Sequence, residues 1–201
     1  MIRRTPLLFL LVAMSAAPAL RAEDAAAGGR VADRLRQRLE AVPPGAALAA
    51  LDEPLHRPDL VLDFYRGRGY SPAWTDDRGP LAVADSLGSA LVGLDAEGLQ
   101  VRDYHLDALA QARARFSDRR WWRTRPDPHV LADFDLLATD AYLLAATQCL
   151  GGRLDPRAFD PDWIADRRSA DVVAVLTGAL AADGIGGSLQ RLLPAHPGYA
   201  A

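Results

Sequence analysis

From His129 to Leu150 the chain runs for 22 residues without a glycine or a proline, and no other stretch constrains the fold as strongly. Leu131, Phe134, Leu137, Ala138, Ala141, Leu144, Ala145 and Gln148 recur at three- and four-residue steps. Such spacing places them on one broad face of a helix. At 1.5 Å per residue the helix is about 33 Å long, enough for the central strut of a domain. Gly151-Gly152 supplies its C-terminal stop.

Shorter helical patterns precede and follow it. Val31, Leu35 and Leu39 form a narrow apolar stripe that ends at Pro43-Pro44-Gly45, and Pro54 and Pro58 bracket a connector. Pro58-Asp59-Leu60 opens a helix with proline in its first turn; Leu60, Val61, Phe64 and Tyr65 are its inner face, and Gly67 and Gly69 end it. Tyr70 to Asp77 reads as a short extended segment finishing in a turn at Asp77-Arg78-Gly79. Pro80 is expected to start a helix carrying Leu81, Ala84, Leu87, Leu91 and Leu94, closed by the turn Asp95–Leu99. Asp103 is the expected N-cap of the next helix, which carries Leu106, Leu109, Ala110 and Phe116. After the long helix, Asp155-Pro156 begins an irregular aromatic segment through Phe159 and Trp163. Helices near 170–182 and 188–193 follow, with a turn at Gly184-Ile185-Gly186-Gly187 between them. No alternation of strand type spans five residues, and no internal repeat is visible. The expected fold class is all-α: a single irregular helical domain with Pro/Gly-rich connections and one long central helix.

The N-terminus has a separate character. Met1-Ile2-Arg3-Arg4 is positive, Leu7 to Ala17 is apolar, and Ala16 to Ala22 is rich in small residues. That order is a secretory signal peptide, and its apolar run is too short to span a bilayer. A cut after Ala19 satisfies the small-x-small rule; a cut after Ala22 begins the mature chain in a polar stretch and is preferred. Removing Arg3, Arg4 and Arg21 takes the net charge from −3 to −6. The expected destination is the periplasm. The divisions are residues 1–22 as signal peptide, 23–57 as N-terminal helix and linker, and 58–201 as the main helical domain.

Composition closes off several functions. The 23 basic residues are all arginines against 26 acidic ones, so no overall positive field attracts nucleic acid. Half the chain is apolar, which excludes wholesale disorder, and no second long apolar run exists, so no transmembrane span is expected. The single cysteine, Cys149, forbids an internal disulfide and any multi-cysteine metal site. It lies at the end of the long helix, where the dipole disfavours a thiolate, and reads as a core residue. His56, His105, His129 and His196 form no pair with metal-ligand spacing and read as cap, loop or surface residues. Asp133/Asp135 and Asp160/Asp162 are two apart; on a helix such pairs do not share a side, and in a Pro-flanked loop they cap or face water. Arg119-Arg120-Trp121-Trp122-Arg123-Thr124-Arg125 either plugs the core edge with its tryptophans or binds an anionic polymer or glycan.

Three stretches, in order, resemble the N-terminal scaffold domain of large periplasmic murein L,D-transpeptidases. The first is Phe64-Tyr65-Arg66-x-Arg68-Gly69-Tyr70-x-Pro72-Ala73-Trp74. Gly93-Leu94-x-x-Glu97-Gly98-Leu99-x-x-x-Asp103-Tyr104-His105 is the second. The third joins Asp135-x-Leu137-x-Thr139-x-Ala141-Tyr142 to Gly151-Gly152-Arg153-Leu154-Asp155-Pro156, and Leu193-Pro194-x-His196-Pro197-x-Tyr199 matches the close of that part. The resemblance runs from about Pro58 to Tyr199. It implies that the catalytic groups of the family, a histidine and a Ser-x-Gly-Cys nucleophile motif, belong to a mostly β domain that follows the scaffold. Cys149, with Thr147-Gln148 before it and Leu150-Gly151 after it, does not match that motif.

The expectation is therefore a non-catalytic scaffold that supports 3-3 peptidoglycan cross-linking, with no catalytic, cofactor-binding or metal residues and no cofactor. Its expected partner is an L,D-transpeptidase catalytic domain, in cis if the sequence is a piece of a longer protein or else in trans, with peptidoglycan as a further candidate. A helical adaptor for another protein and a stand-alone cysteine-dependent enzyme are the alternatives.

Overall fold

In the computed structural model, residues 17–43, 45–76, 78–117, 126–154 and 167–195 are described, with side chains of the first helix from Gly29 onward. The order is α1 (Ala17–Glu40), β1 (Ala49–Ala50), β2 (Glu53–Pro54), α2 (Pro58–Gly67), β3 (Thr75–Asp76), β4 (Gly79–Pro80), α3 (Ala82–Gly93), α4 (Leu106–Ser117), α5 (Pro128–Gly151), α6 (Val172–Ala181) and α7 (Ile185–Ser188). Short 3-10 turns at Leu94–Glu97, Val101–Tyr104 and Gln190–Leu192 join them. The chain is mostly helical, and among the described residues its strands are two antiparallel hairpins of two residues per strand.

The axis of the fold is α5. Asp127 caps it by accepting from His129 N at 2.9 Å, and Pro128 takes the first turn, where its missing N–H is harmless. The helix is buried more completely than a one-faced stripe allows: every residue from Phe134 to Leu143 is buried. The elements α1, α2, α3, α4 and α6 and both hairpins pack around it. A helix enclosed on all sides must be apolar all round or must pair its polar groups, and α5 does both. The stripe of α1 meets it with Val31, Leu35 and Leu39, each no more than 2% exposed.

Several boundaries differ from the sequence reading. The segment between Pro43 and Pro58 is not a plain connector but carries the β1–β2 hairpin, whose tip residues Leu51 and Asp52 both take positive φ. Pro80 does not start α3. It belongs to β4, at a hairpin edge that tolerates a residue without N–H, and Leu81 N is committed to Trp74 O at 2.8 Å. The helix therefore begins at Ala82, leaving Leu81 36% exposed. Asp103 is not an N-cap: it lies inside a 3-10 turn, 2.9 Å from the Arg153 guanidinium. Tyr104 goes into the core there, and the chain reverses at His105 (φ 55) before α4 starts at Leu106. In α4 the buried alanine is Ala112, while Ala110 is exposed. The Gly184–Gly187 segment is not a turn between helices: Ile185 to Gly187 form the first part of α7, and the stretch expected as a helix near 188–193 holds the 3-10 turn Gln190–Leu192.

Two turns need glycine for a stated reason. Gly98 ends the 3-10 turn after α3 with φ +73, as the sequence suggested. Gly79 has φ +137, and a Cβ there would sit 3.7 Å from that of Phe116. The same hairpin turn is tied by the Asp76 carboxylate, which accepts from Arg78 N at 2.7 Å and Gly79 N at 3.1 Å.

Trp74 follows this logic inward. It is fully buried, and its indole Nε1 donates to Thr139 Oγ1 at 2.9 Å. Replacing it with alanine is expected to cost about 3–5 kcal/mol, from lost burial plus the cavity left behind. For a chain of this size that lowers Tm by roughly 10 °C. A Trp74→Ala variant melting with the wild type would show that the ring contributes little to the core.

Candidate functional site

The polar groups of α5 are where chemistry would be sought. Asp135 is fully buried. Its Oδ1 accepts from Ala73 N at 2.6 Å, Trp74 N at 3.1 Å and the Tyr65 hydroxyl at 3.0 Å, and its Oδ2 accepts from the Thr75 hydroxyl. Burial pushes its pKa up, against the pull of these four donors. One turn further on, Thr139 Oγ1 meets both the Tyr65 hydroxyl and the Trp74 indole at 2.9 Å. Tyr65 is raised well above the usual phenol range, first by burial and then by the charge of Asp135.

Asp140 anchors a second layer. Its Oδ1 accepts from Arg57 N at 2.6 Å, and its Oδ2 from His56 N at 2.9 Å and His105 Nε2 at 3.0 Å. The other ring nitrogen of His105, Nδ1, lies 3.7 Å from Glu53 Oε2. The rings of His56 and His105 stack with centroids 4.9 Å apart. Asp133, two residues before Asp135 and on another side of α5, is ion-paired with Arg38 and accepts from Leu51 N at 3.2 Å. These arrangements fix neighbouring segments to α5. Asp135, with no exposed surface and four donors around it, is fully engaged in holding α2 and the β3 segment.

Cys149 is buried near the end of α5, and its thiol is pushed up to about 11, chiefly by burial and then by Glu97. It is held protonated at neutral pH, as its place at a helix C-terminus implies. Of the four histidines, His56 and His129 are exposed as expected. His105 is a cap residue, closing the 3-10 turn Val101–Tyr104, but not a surface one: it is 6% exposed and part of the Asp140 layer. The signal for it was on α5, where Asp140 stands in an otherwise apolar run and so needs donors. Arg119–Arg125, Asp160/Asp162, Phe159, Trp163, His196 and Tyr199 lie outside the described residues, as does the leader up to residue 16. Among the described residues no group of three or more His, Cys, Asp or Glu could hold a metal ion, and no helix is long and apolar enough to cross a membrane.

Among the described residues, concave surface is found away from these groups. A groove of about 590 Å³ runs between α3 and α4, with Leu87, Leu109, Phe134 and Ala138 lining its apolar interior. Val92, which also lines it, is 59% exposed, and an Arg113–Asp85 ion pair lies along it. Adjoining it, across Asp85 and Ser89 of α3, a polar depression is lined by Ser86, Ser89, Asp183 and Gln190.

A family model described as Scaffold domain matches residues 59–201, a span that holds α2 to α7 and both grooves. No curated protein and no solved structure matches the chain.

Proposed function

Because the chain belongs to the Scaffold domain family, we propose that it is the non-catalytic scaffold of a murein L,D-transpeptidase system. In this reading it is exported to the periplasm and supports 3-3 cross-linking by packing on a catalytic domain or by binding murein. One observation carries the proposal: the residues of three separated motifs meet each other inside the fold instead of converging on a cleft. Tyr65, Ala73 and Trp74 of the first motif bond to Asp135 and Thr139 of the third. Asp103 of the second is paired at 2.9 Å with Arg153 of the third, and Tyr104 beside it is fully buried. A signature built this way specifies a shape. The apolar α3–α4 groove, with Val92 on its surface, is the face that packing on a catalytic domain would use.

Cysteine acyl transfer needs a thiolate, a base within about 3 Å and donors for the oxyanion. Cys149, buried and raised to about 11, meets the first condition poorly. The purified protein is expected to gain no mass on incubation with a carbapenem, the class of inhibitor that acylates the nucleophile of these transpeptidases. A stoichiometric adduct that disappears in Cys149→Ala would overturn the scaffold reading. Recovery of cross-linking when a separate catalytic domain is added would support action in trans. Intact mass of the exported product, with the first 22 residues gone, tests the destination.

A further inference from the structure

We propose that the groove between α3 and α4 is a slot for one amphipathic α-helix of a partner protein. Both helices pack on α5 and leave a furrow of about 590 Å³ between them, floored by Phe134 and Ala138. Ala84, Gly88 and Val92 line it from α3, one per turn of that helix. Leu106, Leu109 and Arg113 line it from α4. From Ala84 to Val92 the furrow runs about 12 Å, two turns of helix. An apolar furrow of that length takes the i, i+3, i+4 and i+7 side chains of a docked helix.

A helix suits the slot better than other occupants. Gly88 stands in the middle of α3, where glycine weakens the helix relative to alanine. Its φ is not positive, and a Cβ there would meet nothing within 4 Å, so no contact among the described residues requires it. A partner backbone lying close against α3 does. Charge at one end of the furrow points the same way. Asp85 of α3 and Arg113 of α4 pair there, each partly exposed, so the lip offers both signs. An amphipathic helix borders its apolar stripe with acidic and basic side chains and can meet both. A single acyl chain carries only an anion at its end, and Asp85 repels it. The slot depends on the scaffold reading for which protein supplies the helix, and not for its form.

A synthetic helical peptide of about 16 residues tests this, with leucine at i, i+3, i+4 and i+7 and with Arg and Glu flanking the stripe. Titration followed by amide NMR should shift signals of α3 and α4 and leave those of α1 unchanged. A peptide of the same composition with the stripe broken should not bind. Gly88→Leu fills the slot from within, so binding should fall about tenfold or more. Its Tm should stay equal or rise, since leucine is the better helix former. Val92→Glu, at a position already 59% exposed, should weaken binding as well. Surface stickiness alone would make Gly88→Leu bind more tightly, because it adds apolar surface. Unchanged or tighter binding there, no binding by the wild type, or equal binding of the broken stripe overturns the proposal. Preference for decanoate over the peptide, or a dimer of the protein alone that Gly88→Leu dissolves, overturns it in favour of an acyl chain or a second copy. The peptide contains nothing of a murein enzyme, which separates the two readings. A bound peptide beside an unbound catalytic domain retains the slot and rejects the transpeptidase system. A catalytic domain that binds Gly88→Leu as well as the wild type does the reverse.

Discussion

Deleting residues 1–57 is expected to leave a chain with no cooperative unfolding transition, although the family match begins only at residue 59. Val31, Leu35, Leu39, Leu48 and Leu55 all belong to the buried core and all lie before that point. At about 1.5–3 kcal/mol for each large aliphatic side chain, their loss removes on the order of 10 kcal/mol. The whole net stability of a domain is roughly 5–15 kcal/mol. The deletion also strips Asp140 of two backbone donors and Asp133 of both its partners, leaving polar groups of α5 without their bonds. Thermal melting by circular dichroism separates the outcomes. Removing residues 1–28, which keeps every buried side chain among the described residues, should preserve a sharp transition. A 58–201 fragment melting within a few degrees of the full chain would show that α1 is an accessory.

Asp135→Ala is the point substitution with the largest expected effect, about 3–5 kcal/mol. It leaves Ala73 N, Trp74 N and the Tyr65 and Thr75 hydroxyls facing an apolar hole, and the two backbone donors cannot turn to find other acceptors. Asp135→Asn keeps an acceptor for the backbone pair and should cost less. It also gives a pH signature. The pKa of Asp135 is raised in the fold, so its contribution favours folding below the ordinary carboxylate value, about 4, and is lost as pH climbs through the raised one. Urea unfolding across pH 4 to 8 should therefore show the asparagine variant gaining on the wild type as pH rises. A constant difference between the two would mean that Asp135 titrates alike in both states.

The helices were legible because their determinants are local. Absence of Gly and Pro and three- and four-residue apolar spacing fix α5 to within a residue of its bounds at each end. What the spacing missed was depth. Asp133 and Asp135 look alike in sequence, yet one is half-buried against Arg38 and the other closed in completely, because the difference depends on which segment arrives opposite each. Thr139 and Asp140 carried a readable hint, since polar residues amid Leu136-Leu137-Ala138 and Ala141-Tyr142-Leu143 must find partners if the helix is enclosed. The partners of Asp140, His56, Arg57 and His105, come from segments with no strong local preference. The β1–β2 hairpin was invisible for a related reason: two-residue strands show no alternation, and its tip at Leu51-Asp52 has no glycine to mark the positive φ.

The distances along the chain between these partners have a bearing on how the protein is made. Asp140 binds residues 83 and 84 positions earlier, and Asp135 binds residues 60 to 70 positions earlier. The first half of the polypeptide therefore emerges from the ribosome with its apolar stripe and its N–H donors committed to a helix not yet synthesised. At about 5–20 residues per second, the wait between completion of α1 and arrival of α5 is roughly 5–20 s. For that interval Val31, Leu35, Leu39 and Trp74 are without the surface they will cover, and a nascent chain in that condition is a substrate for chaperones.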